Sequence, residues 1–175
     1  MPPVARRSLR LLPILLAAAL SFTVLPGPAA ARCCFDDRAA TLHALNAVRA
    51  RHGVRPLVLD VRLDRAARRH SREMVLRRYF AHESPGGGRF SARIAATGWM
   101  RRHGRWSVGE TLAWGWGTSA APSMIVAAWL RSPSHRRVIL DPRYRRVGIG
   151  IVRGTPAAGG RAGLTYTADF GSGGG

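Results

Sequence analysis

Lysine is absent from this chain of 175 residues and acids are scarce: 28 arginines stand against 9 Asp and Glu, a formal net charge of +19. Cysteine is nearly absent too. Cys33 and Cys34 are the only two, and adjacent residues cannot staple distant segments, so no disulfide framework holds the fold. They lack nearby histidines at metal-ligand spacing, which argues against a zinc site; in an exported protein they would pair between chains, form a strained vicinal bond or stay free. There is no zinc-finger spacing, no aromatic RNA-binding signature, no basic zipper, no H-E-x-x-H and no activated-nucleophile motif. What is present is a 46% share of hydrophobic residues, with all five Trp between Trp99 and Trp129, and this excludes disorder in spite of the charge.

The first 31 residues read as an export leader: Arg6, Arg7 and Arg10, then an apolar run from Leu11 to Leu25, then Ala29, Ala30 and Ala31 at the positions a signal peptidase reads. Cleavage after Ala31 is expected, which makes the protein secreted. Left uncleaved, the same run would be an anchor. The run is shorter than the ~20 residues a spanning helix needs, and no later segment is apolar enough to span. Lipidation at Cys33 or Cys34 is not expected, since Arg32 and Cys33 are poor substitutes for the small residue such a site requires.

The remaining 144 residues carry 25 Arg and 9 acids, a balance of +16, and have room for one domain that buries roughly two thirds of its unfolded surface. Residues 32 to 88 hold 12 Arg and 6 acids, and residues 89 to 175 hold 13 Arg and 3 acids, so the excess is spread rather than gathered in a tail. Specific nucleic-acid recognition is therefore not expected. Adhesion to anionic wall polymers or lipid head groups is one reading of the charge, and a bias in coding composition is the other.

Along the chain, Asp36 and Asp37 cap a first helix to His52, with Gly53 as its stop. Asp60 opens a second helix to about Arg78, in which Leu63, Ala66, Ala67, His70 and Met74 form the buried stripe and Arg65, Arg68, Arg69 and Arg72 face away. His70 on that stripe reads as a core histidine bonded to backbone or a neighbouring side chain. A turn-rich segment then presents His82 on a loop. Phe90 to Thr97 is a short helix, and 101 to 109 reads as a polar loop leading to Glu110. That glutamate is either a surface carboxylate paired with Arg or, given Val108, Leu112, Trp114 and Trp116 around it, a buried one that needs a partner. Pro122 opens a helix through Leu130, Ser132 and Pro133 cap another from Ser134 to Leu140 with His135 in its first turn, and Val147 to Val152 and Leu164 to Phe170 pair as a long-looped antiparallel hairpin. Helices first and strands last imply an α+β domain.

These residues resemble the CAP superfamily of cysteine-rich secretory, antigen 5 and pathogenesis-related proteins (the SCP domain), in its short bacterial form. The resemblance runs over residues 38 to 171. It rests on Leu45-Asn46 with Arg49, His70-Ser71 with Met74, Tyr79-Phe80-Ala81-His82 before Ser84-Pro85-Gly86, Gly109-Glu110 before Leu112-Ala113, Trp129 with Ser132-Pro133-Ser134-His135-Arg136, Ile139-Leu140, and Tyr144 before Val147-Gly148-Ile149-Gly150. The resemblance implies a three-layer α-β-α sandwich around a central antiparallel sheet, preceded by a short segment 32–37 and followed by a Gly-rich tail 172–175.

It also implies a cleft lined by His82, Glu110, Ser132 and His135. Ser132 replaces a second family glutamate, which leaves His82, Glu110 and His135 to hold zinc or another divalent cation. Two functions follow as expectations. The first is a monomeric, non-enzymatic binding domain that takes a lipid, a sterol or a cell-wall fragment. The second is a hydrolase in which a metal-activated water is deprotonated by Glu110. Basic adhesion to anionic polymers or nucleic acid is the third alternative.

Overall fold

A computed structural model describes residues 29–157 and 162–174. Nearly all of the expected leader, residues 158–161, and the side chains of Cys33 and Cys34 lie outside the described residues. The backbone enters in α1 (Ala29–Arg51), so the helix begins before the Asp36-Asp37 cap and the segment 32–37 is part of it. There follow β1 (Val58–Leu59), α2 (Val61–Arg77), α3 (Phe90–Ala96), β2 (Arg105–Trp116), α4 (Pro122–Arg131), α5 (Pro133–Leu140), β3 (Arg146–Arg153) and β4 (Gly163–Gly174).

The strands form one sheet in the order β1-β3-β4-β2. α2 and α3 cover one face and α1, α4 and α5 the other, which is the expected α-β-α sandwich. Three details differ from the sequence reading. The sheet is mixed, because β1 runs parallel to β3; β1 is only two residues long, squeezed between the Pro56 link and the Asp60 cap of α2, too short to carry a strand signal. The stretch read as a loop up to residue 109 is strand from Arg105 onward, since β4 offers it partners from Gly174 to Gly163 and a free-edge strand tolerates polar side chains. For the same reason the expected tail is strand through Gly174, opposite Arg105.

Layer spacing is set by residue choice on β3. Val147, Ile149 and Ile151 point into the core with Leu45, Ile125, Trp129, Tyr166 and Phe170. The alternate positions are Gly148 and Gly150, and α2 lies directly on them: a Cβ would sit 1.9 Å from the Leu63 carbonyl carbon and 2.2 Å from that of Ala67. Ser71 seals the contact by donating to the Gly150 carbonyl at 3.0 Å. Asp60 caps α2 by accepting from the Arg62 and Leu63 amides. At the other end the helix stops at Arg78 with φ 54, a left-handed conformation that turns the chain toward His82.

A candidate ligand cleft at the free edge of the sheet

Strand β2 is the edge of the sheet, and this position lets side chains from both helical layers meet around it. His82 arrives from the α2 side on a loop pinned twice to α2. His70, fully buried, donates from Nε2 to the Ala81 carbonyl at 2.9 Å, and Ser84 donates to Glu73 at 2.7 Å. The ring of His70 is thus the core histidine the sequence implied. Burial holds its pKa below the ordinary value, in keeping with a neutral ring that accepts at Nδ1 from Tyr79. His135 arrives from the opposite layer in the first turn of α5. Its pKa is also lowered, by burial and then by the charge of His82, and the two ring centroids are 6.5 Å apart.

Glu110 lies between them on β2 with its side chain fully buried. Its two oxygens have different partners: Oε1 accepts from His82 Nδ1 at 2.8 Å and Oε2 from Arg93 of α3 at 2.6 Å. Both alternatives weighed for this residue therefore hold in part, since the carboxylate is buried and is paired with Arg. In the neutral ring, donation from Nδ1 to Glu110 leaves Nε2 as the nitrogen with a lone pair. Gly109 makes room next to this pair. A Cβ there would come within 2.8 Å of the Tyr144 hydroxyl and 3.0 Å of Val138, so glycine lets the α5 side close against the strand beside Glu110.

The result is a cleft of about 570 Å³, with Phe90, Val108, Val138 and Tyr144 as walls and His82, Glu110 and His135 as its polar floor. Drug-sized ligands occupy clefts of roughly 300–1,000 Å³ built in this way. Of the four residues expected in the cleft, three line it. Ser132 does not; it ends α4, makes no side-chain cap to α5, and bonds Ser134, which takes the place in the lining.

Among the described residues no three His, Cys, Asp or Glu side chains are grouped to hold an ion. Glu110 gives both oxygens to protein donors, which leaves two imidazoles. Rings sharing one tetrahedral zinc, at about 2.0–2.1 Å per nitrogen, have centroids roughly 5 Å apart, so His82 and His135 would have to approach by more than about 1 Å.

Two residues of the site carried no sequence signal of their own. Arg93 looked like one more surface arginine, and only the fold of α3 over β2 brings it to Glu110. Asp169 interrupts the apolar strand β4 and is the cross-strand neighbour of Glu110. It is 1% exposed, and neither of its oxygens accepts a hydrogen bond among the described residues. Burial and then the charge of Glu110 raise its pKa well above the carboxylate range, which fits a protonated carboxyl beside Glu110.

The model of the cysteine-rich secretory protein family, CAP, matches residues 42–170. The uncharacterized protein YkwD of Bacillus subtilis strain 168 is 35% identical over 107 residues, 61% of this chain and 39% of its own length. A membrane protein of the same organism, YlbC, is 29% identical over 113 residues, and the chain spans 30% of it. Among solved structures, an extracellular SCP-domain protein of Bacillus anthracis aligns at TM-score 0.59 and 24% identity, over 78% of this chain and 40% of that one. An outer surface protein of Borrelia burgdorferi aligns at TM-score 0.64 and 19% identity, over 79% and 94%. These likenesses in structure concern the fold alone.

Proposed function

The chain belongs to the cysteine-rich secretory protein (CAP) family, and from that premise we propose that it is an exported, monomeric binding domain whose edge cleft takes an apolar or amphipathic ligand such as a lipid, a sterol or a cell-wall fragment. The observation that carries the reading is the pairing of apolar walls with a polar floor in which the buried carboxylate is held on both oxygens. Phe90, Val108 and Val138 offer area to a hydrocarbon, while His82 Nε2, held in orientation by Glu110, offers one acceptor for a hydroxyl. Export is supported by the tripartite leader, and no helix among the described residues is long and apolar enough to cross a membrane.

Turnover is the weaker reading, because a hydrolase needs a carboxylate free to take a proton and Glu110 is held by Arg93 and His82. A divalent ion such as zinc would be held by His82 and His135, with Glu110 setting the tautomer of His82; bound there, it would present a Lewis acid to a ligand oxygen. Native mass spectrometry with a lipid extract and calorimetric zinc titration test the two parts separately. A retained lipid adduct that Val138→Arg abolishes supports the cleft, and its absence from the wild type refutes it. One zinc lost on both His82→Ala and His135→Ala supports the imidazole pair, whereas uptake unchanged in both variants places the ion elsewhere.

A further inference from the structure

The outward face of α2 combines charge and exposed hydrocarbon. At 100° per residue, Val61, Arg65, Arg68, Arg69, Arg72 and Leu76 fall within an arc of about 100°, opposite the buried Leu63, Ala67, His70 and Met74. All six are exposed, Val61 at 69% and Leu76 at 68%. Among the described residues, the side chains of Arg65, Arg68, Arg69 and Arg72 make no ion pair and no hydrogen bond. The acids of the helix do not offset them: Asp64 is held by Arg38 and the Ile149 amide, and Glu73 by Arg77 and Ser84. At the N-terminal end, Arg62 Nε donates to the Thr97 carbonyl at 3.3 Å, and the Arg101 guanidinium lies beside Gly98. Beyond the C-terminal end, Phe80 is 46% exposed.

We propose that this face docks on an anionic phospholipid surface, with the arginines on head-group phosphates and Val61, Leu76 and Phe80 in the interfacial layer. Like charges crowded within two turns repel one another, and a sheet of anions relieves the repulsion. A soluble polyanion would do the same for the arginines. It would gain nothing from the three apolar side chains, which a lipid interface buries. The stripe from Val61 to Leu76 is about 22 Å long at 1.5 Å per residue, a straight footprint suited to a plane. Docking would also bring the rim of the cleft to the lipid, since Phe80 precedes His82 by two residues. The inference concerns a surface outside the cleft and stands whatever the cleft holds.

The test is co-sedimentation of the full chain with vesicles of equal parts phosphatidylglycerol and phosphatidylcholine, against pure phosphatidylcholine and soluble polyphosphate. Replacing Arg65, Arg68, Arg69 and Arg72 by Gln should weaken binding to the anionic vesicles by at least about tenfold. A control set of four arginines elsewhere, Arg51, Arg131, Arg137 and Arg153, each exposed and each changed to Gln, should leave most of it in place. Leu76→Ser with Val61→Ser should weaken vesicle binding and leave polyphosphate binding unchanged. Equal losses from the two arginine sets would show diffuse charge and overturn the proposal. So would vesicle binding indifferent to Leu76 and Val61, which would make the partner a soluble polyanion.

Discussion

Arg49 shows how a charge can be structural without an acid to pair with. Its side chain is fully buried, and its guanidinium donates to the carbonyls of Arg55, Ile139, Asp141 and Tyr144 at 2.8, 2.5, 3.2 and 2.9 Å. It joins α1 to the last turn of α5 and to the approach to β3. The Asp141 carbonyl keeps the Tyr144 amide, so three carbonyls would be left unpaired at about 1–3 kcal/mol each, and Arg49→Met should remove at least about 3 kcal/mol, a large part of the stability of an ordinary domain. Urea unfolding would read this, and a loss under about 1 kcal/mol would mean that water replaces the guanidinium. Asp169 carries the opposite lesson. Its folded pKa is raised by burial, so the folded state favours the proton; that stability is complete at acid pH and is lost as pH rises through the folded pKa. Asp169→Asn keeps an uncharged side chain of the same shape beside Glu110 and removes the titration. The variant should therefore gain on the wild type as pH rises from about 4.5 to 7.5, by on the order of 1 kcal/mol or more; parallel stability curves would show that Asp169 is ionised in the fold. His82, Glu110 and His135 were legible in the sequence because each stands in a motif. Asp169 and Arg93 were not, because their roles depend on cross-strand register and on the placement of α3.

At the scale of elements, α2 and α3 were legible to within a residue or two, since α2 follows its Asp60 cap and α3 ends just before Gly98, whereas α1 starts at Ala29, ahead of the Asp36-Asp37 pair read as its cap. Strand β2 was not legible, since its first residues are polar and its identity comes from β4 alongside. The most exacting contact in the fold is also one that a sequence pattern marks without explaining. Val-Gly-Ile-Gly alternates large and absent side chains because one face of β3 fills the core while the other meets the backbone of α2. Gly150→Ala would drive a methyl to 2.2 Å from the Ala67 carbonyl carbon, and backbone cannot yield as a side chain does. The variant should lose about 3 kcal/mol or more and show a lower unfolding midpoint with its helix content retained. A change of under about 1 kcal/mol would mean that α2 can slide on the sheet.

For the whole molecule, the sequence showed how much charge there is and the structure shows where it stands. Arg38, Arg77, Arg93 and Arg143 have carboxylate partners within 4.0 Å, and of these only Arg93 is tied into a buried network. With 25 arginines and 9 acids beyond residue 31, the field over most of the surface is repulsive. Compaction concentrates that field and unfolding dilutes it, so the charge opposes folding at long range. Salt screens exposed charges beyond about 10 Å at 0.1 M and weakens surface pairs that are worth less than about 1 kcal/mol each. Here the relief of repulsion outweighs the loss of pairs. The melting temperature should accordingly rise as sodium chloride is raised from about 0.01 to 0.3 M, and the rise should be smaller in the variant with Arg65, Arg68, Arg69 and Arg72 changed to Gln, which has already lost part of the repulsion. A melting temperature that falls with salt would mean that the few exposed ion pairs, Arg38 with Asp64, Arg77 with Glu73 and Arg143 with Asp141, govern stability more than the arginine excess does.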